Sequence, residues 1–264
     1  DVYKRQMLTE VIDISYPELE NPTLELSIPF SGRIEVNPGG EKLVDGTILF
    51  DVPEWKPWVT ETPDLVRIEQ DERWLHAHWN NPKNSWNLNL GTSKPYKLRV
   101  RTGVSRARLS LGGIPLTRFN MSSGVGTCDI LFDGENPASM ELLNLQAGVG
   151  QMIADDILNA NPREVRISGG VGEVRLGFTG NRIKEDVQVR LNGGEGGFDV
   201  SNAEEVPAVI HVSGLTGVDL RGRIRARRRS FGSCIYETES YTEDQPHLNI
   251  RASLGLGGLT LRTV

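Results

Sequence analysis

Four groups of residues in this 264-residue chain have types and spacings that could do chemistry. Asp199 and Asp219 each stand five residues after a glycine in two copies of a recurring motif. In neighbouring parallel strands they would lie about 4.8 Å apart. Carboxylates that close raise one pKa or recruit a cation, so the pair is a candidate cation or general-acid site. The plainer reading is a solvated face with Arg175 beside Asp199. The run Arg221-Gly-Arg-Ile-Arg-Ala-Arg-Arg-Arg229 holds six arginines in nine residues. In one strand Arg221, Arg223, Arg225 and Arg227 would alternate onto one side as a cationic stripe, a candidate surface for anionic lipid, an anionic envelope polymer or an acidic protein. The plainer role is charge that protects an edge strand from pairing with other chains. His76 and His78 could begin a metal site, but no third ligand lies near them in sequence, and two surface histidines is the preferred reading. Cys128 and Cys234 are too few to define a disulfide framework, and nothing in the sequence supports a bridge between them.

Other chemistry is excluded by pattern. G-x-G occurs at Gly124, Gly148, Gly170, Gly194 and Gly255, but none has the third glycine of a dinucleotide fingerprint, and each runs into a strand rather than a helix. No P-loop, H-E-x-x-H, EF-hand loop or G-x-S-x-G elbow is present, so the reading assigns no catalytic residue, cofactor, metal or nucleotide. A net charge of −6 supplies no general attraction to nucleic acid. With 38% hydrophobic residues the composition is that of a globular protein, and no apolar run approaches the roughly 18 residues of a membrane-spanning helix.

The elements that position these residues follow from a repeat. A glycine, an apolar residue, often a second glycine and then alternating apolar residues recur from Gly103, Gly124, Gly148, Gly170, Gly194, Gly214 and Gly255. The period is about 22 residues, with one interval of 41 that fits two units, one degenerate. Four residues after each glycine stand Ala107, Cys128, Met152, Val174, Phe198, Val218 and Leu259; six after stand Leu109, Ile130, Ala154, Leu176, Val200, Leu220 and Leu261. Before the glycine run Leu98 and Val100, Phe119 and Met121, Leu143 and Leu145, Val165 and Ile167, Val189 and Leu191. Period two on both sides of a Gly-rich bend predicts two half-buried strands per unit. No unit can bury its own apolar face, so units must stack into an all-β solenoid, a rack of short strands. A long antiparallel meander is the alternative. Leucine-rich repeats share the period, but their L-x-x-L-x-L pattern and asparagine ladder are missing. Helical signal is limited to a possible turn within 155–162 or 181–186.

The first ninety residues differ. All five tryptophans, Trp55, Trp58, Trp74, Trp79 and Trp86, fall here, among strand-like runs at 23–28, 33–36, 47–52, 65–70 and 86–90. This is expected to be a β cap continuous with the solenoid, its tryptophans filling a core rather than forming a sugar-stacking platform. Residues 1–6, Asp-Val-Tyr-Lys-Arg-Gln before Met7, read as a translated sequencing-adapter end and are set aside. That leaves open whether a signal peptide, lipid anchor or membrane helix once preceded them. The expected organisation is 7–92 as the Trp-rich cap and 93–264 as the repeat region.

Asp51-Val-Pro-Glu-Trp-Lys-Pro-Trp-Val59, Ser85-Trp-Asn-Leu-Asn-Leu90 and the G-V-G-E-V-R-L motif resemble those of bacterial toast-rack proteins, related to LiaF-like and adhesin-like domains. The resemblance runs from about Leu24 to Val264. It implies a rack-like all-β stack at the cell envelope, extracytoplasmic or membrane-associated, with no enzymatic activity and no catalytic residues to carry over. The membrane helices that precede the LiaF domain are missing from this sequence, which weakens a sensor-regulating role. The expected function is a non-enzymatic scaffold, adhesin-like module or envelope-stress partner, binding protein or anionic polymer or itself. A carbohydrate-active β-helix using Asp199 and Asp219 is the alternative.

Overall fold

The structure, a computed structural model, describes residues 6–29, 31–71, 82–181, 183–214, 217–230 and 232–264. His76, His78, Trp74 and Trp79 lie outside them. The described residues form β1 (Leu8–Ile14), β2 (Thr23–Ile28), β3 (Gly32–Pro38), β4 (Val44–Phe50), β5 (Trp58–Glu61), β6 (Leu65–Glu69), β7 (Asn84–Leu90), β8 (Tyr96–Ser110), β9 (Leu116–Leu131), β10 (Met140–Asp155), β11 (Pro162–Phe178), β12 (Val187–Asn202), β13 (Ala208–Gly214), β14 (Gly217–Arg221), β15 (Ile224–Ser230), β16 (Ser233–Thr238) and β17 (Leu248–Thr263). Helix is confined to 3-10 turns at Pro53–Trp55 and Ile157–Ala160, the second within the stretch 155–162 where the sequence allowed one. No described helix is long and apolar enough to cross a membrane.

The repeat strands stack in parallel, as a solenoid requires. β8, β9, β10, β11, β12 and β17 pair successively in register, and the apolar columns coincide rung by rung: Ala107, Cys128, Met152, Val174, Phe198 and Leu259 are Cα partners. All are buried, as are the columns from Leu109 to Leu261 and from Leu98 to Val189. Each full burial of such a side chain stabilises by about 1.5–3 kcal/mol. Val218 and Leu220, in the edge strand β14, are only partly buried.

Each unit is one strand of 15–17 residues with a bend, rather than two separate strands. The bend divides it into a leading limb before the glycines and a trailing limb after them. At the bend the ladder skips the first glycine, so Ala147 pairs Gly169 and Val149 pairs Val171. The alternation slips there by one residue. The apolar residue after the first glycine therefore turns outward: Val104, Val125, Val149 and Val171 are 52%, 47%, 51% and 52% exposed. The second glycine has positive φ at Gly126, Gly150 and Gly172, and a Cβ on Gly172 would lie 1.9 Å from the carbonyl oxygen of Gly150 in the rung below. Only glycine meets both conditions.

Shorter strands complete the stack. β2 and β3 form one rung, lying in parallel on the leading and trailing limbs of β8; β6 and β7 form the next rung outward, in parallel on β2 and β3. β5 closes the leading side antiparallel to β6, and β4 and then β1 close the trailing side. At the other end β17 lies between β12 and a last rung made of β13 and β14. The 41-residue interval holds no degenerate copy; it holds the antiparallel β15–β16 pair, which extends the sheet from β13. Both ends are thus out of chain order, with β8 docked on β2 and β3 rather than on β7.

The turns are held by asparagines. Asn136 Nδ2 donates to Leu116 O and Ala160 O, one rung to each side, and Asn159 Nδ2 donates to Phe132 O. In the N-terminal region Trp55 and Trp86 are buried, and Trp86 Nε1 donates to Asn84 Oδ1 within a Gln70–Asn84 amide pair. Trp58, on β5, is exposed.

Candidate functional site

The two carboxylates expected on neighbouring strands are not on neighbouring strands. Asp199 and Asp219 both have Thr260 of β17 as Cα partner, so they flank it two strand steps apart, about 9.6 Å by ladder spacing. The reason is the insertion of β17, which chain order does not reveal. Each has its own cation: Asp199 meets Arg262 at 3.1 Å, and Asp219 meets Arg221 at 2.8 Å. Arg175, the Cα partner of Asp199, makes a bidentate pair with Glu173 of its own strand.

The arginine run is not one stripe. Arg221 ends β14, Gly222 turns the chain with φ of +80°, and Arg225 and Arg227 lie in β15. A bulge between Ala226 and Arg228 breaks the alternation further. All four candidate arginines have acidic partners: Arg221 with Asp219, Arg223 with Glu204 at 3.3 Å, Arg225 with Glu237 at 2.7 Å, and Arg227 with both Glu237 and Glu243. Exposed pairs of this kind contribute little stability but lower the local positive charge. β15 pairs only with β16 among the described residues, so its arginines sit on an open edge, where charge deters strand addition.

The outer face of the leading limbs gathers charge that the sequence reading missed. Four residues before the repeat glycines, one register column runs Arg99, Asn120, Asn144, Arg166, Arg190 and Arg251, and His211, three before Gly214, is the Cα partner of Arg251. Reading that column beside the apolar ones finds it. At one end Glu25 of β2 is 2% exposed, covered by Arg67, Arg99 and Arg101 at 3.5, 3.0 and 3.4 Å. Next to it a shallow depression of about 300 Å³ is lined by Arg99, Arg101, Arg118, Asn120, Asn144 and Gln146. Further along, Glu164 takes a bidentate pair from Arg166 and a contact from Arg190; the Arg166 hydrogen bonds hold its carboxyl below the usual range.

Isolated groups complete the inventory. Cys128 and Cys234 are both free; Cys128 lies in β9 and Cys234 in β16, six rungs away through the stack, too far to bridge. Burial, with Asp129 adding to it, pushes the Cys128 thiol up to about 12. Asp155, at the end of β10, has its pKa raised first by desolvation and then by Asp156 and Asp129, against a lowering by Arg262. No group of three or more His, Cys, Asp or Glu among the described residues is placed to hold a metal ion.

The model of the N-terminal domain of toast_rack, DUF2154, matches residues 3–155, more than half of the chain. The chain belongs to the toast_rack family. The toast_rack match ends with β10, and β11, β12, β17 and the β13–β14 rung continue the same parallel stack beyond it. Solved structures similar to this toast_rack chain include a "putative cell adhesion protein" from Clostridium sporogenes ATCC 15579, at 17% identity and TM-score 0.49, covering 98% of this chain and 100% of that one. A "putative adhesin" from Bacteroides fragilis NCTC 9343 is similar at 12% identity and TM-score 0.46, covering 99% and 98%. No curated protein matches the toast_rack chain.

Proposed function

We propose that this toast_rack protein is a non-enzymatic component of the bacterial cell envelope, a scaffold or adhesin-like module that works through its long side faces. The observation that carries the reading is the uninterrupted register from β6 and β7 through β8–β12 and β17 to β13 and β14, nine rungs deep. Side chains on such a face hold fixed spacings without any partner present, which suits recognition of an extended surface or polymer. Family membership supports the same reading. An envelope-stress partnership of the LiaF kind is its finer form, and protein, anionic polymer or a second copy are the partners it allows.

The test is a pull-down with residues 7–264 as bait against detergent-solubilised membranes and cell-wall fractions of a bacterium that encodes the protein. Enrichment of wall polymer or of the protein itself is expected for a scaffold. Enrichment of a sensor kinase would support the stress partnership. Recovery of the protein only from the cytosol on fractionation of its native host would overturn the envelope assignment.

A further inference from the structure

The leading-limb face from β11 to β13 combines three features. Arg166, Arg190 and Arg251 occupy successive rungs in one column, with His211 on the next, so four basic side chains step across the sheet at about 4.8 Å each. Among the described residues one carboxylate, Glu164, answers Arg166 and Arg190, while Arg251 has no acidic partner. Two residues along each strand the adjoining column is Ser168, Asn192, Ser253 and Ser213. Hydroxyls and an amide there face the same side as the arginines, and only Ser213 and Ser253 bond one another. No large apolar side chain is exposed in either column among the described residues. These strands are paired on both sides, so the face offers side chains rather than a free backbone edge.

We propose that this face binds a linear acidic polysaccharide laid across the strands, its carboxylates on the Arg190 and Arg251 guanidinium groups and its hydroxyls on the serine and asparagine column. Guanidinium matches carboxylate as a planar two-bond pair. The hydroxyl-rich second column fits sugar better than acyl chains; exposed Val171 and Leu256 lie three residues further along β11 and β17, at the bend and outside both columns, so the vesicle arm of the test below is the one that separates a lipid surface from a polymer. Beyond His211 the column continues through Ile235 of β16 to Arg228 of β15, whereas Arg225 is paired with Glu237 and adds no net charge. This proposal deepens the envelope reading above and rests on it.

The experiment is calorimetric titration of the full chain with polygalacturonate at low and high salt, with dextran, poly(glycerol phosphate) and phosphatidylglycerol vesicles as separate arms. Polygalacturonate is expected to bind, more weakly as salt rises. The double substitution R190Q/R251Q is expected to weaken binding about tenfold or more. E164Q, which removes the competing carboxylate, is expected to tighten it, and R221Q/R223Q, on the trailing side, to leave it unchanged. Circular dichroism checks that each variant folds. No binding to polygalacturonate, equal binding by R190Q/R251Q, or a preference for vesicles or poly(glycerol phosphate) would overturn the proposal. Polymer length is measured after each titration: intact polymer without binding sinks only this proposal, whereas shortened polymer sinks the non-enzymatic reading and leaves the binding face in place.

Discussion

Glu25 sits on the outer side of the sheet yet is buried, because three arginines from β6 and β8 close over it. The arginines themselves are 35–58% exposed, so solvent screens their charges when the carboxylate is removed. Glu25→Ala is therefore expected to lose about 1 kcal/mol in urea denaturation, with Glu25→Gln losing less because it keeps the shape and some hydrogen bonds. Stability equal to wild type in both would show that the arginines simply swing to water. Asp155 works in the opposite sense. Its folded pKa lies above its unfolded one, so the charged form disfavours folding: the cost is absent below the unfolded pKa and is fully present above the folded pKa. Asp155→Asn should raise Tm at pH 7 and leave it nearly unchanged at pH 3, as calorimetry would read. Neither role was legible from the sequence. Glu25 looks like any strand carboxylate until β2 is known to lie between β6 and β8, and Asp155 depends on charges in other rungs. Cys128, by contrast, was readable as a core residue, because its column was apolar throughout.

At the scale of one rung, the decisive feature is the bend. Gly172 has φ of +137°, and any Cβ there meets the carbonyl of Gly150. Gly172→Ala is expected to cost about 3 kcal/mol through backbone strain and lost close approach, whereas Val171→Thr on the exposed ridge should change stability little. A urea midpoint for Gly172→Ala matching wild type would mean that rungs can part locally at no cost. The bend and the strands on either side of it were legible because glycine position and period two are local signals. The outward turn of the valines was not, since an apolar residue beside a glycine looks like core. The degenerate copy expected between Gly214 and Gly255 rested on spacing alone, 41 residues being about twice the period; the antiparallel β15–β16 pair fills the same length, and strand direction leaves no mark in spacing.

Across the molecule, stacking in parallel was legible from the columns, but rung order was not. Chain order places β7 next to β8 and β13 next to β12, and the structure inserts β2–β3 and β17 between them. The inserted segments β2–β3 and β17 are thereby each paired on both sides. A tandem copy of residues 148–169, inserted after residue 169, adds a rung in the middle, where each rung contacts only its neighbours. It is expected to fold with Tm at or above wild type, and with a maximum dimension in small-angle scattering longer by about 4.8 Å. The same segment appended after Val264 finds β17 already occupied by β12 on one side and by β13 and β14 on the other, and it should remain unstructured by amide exchange. A rack built this way is most simply lengthened from its interior, where a copied rung meets on each face the same neighbour that its original had.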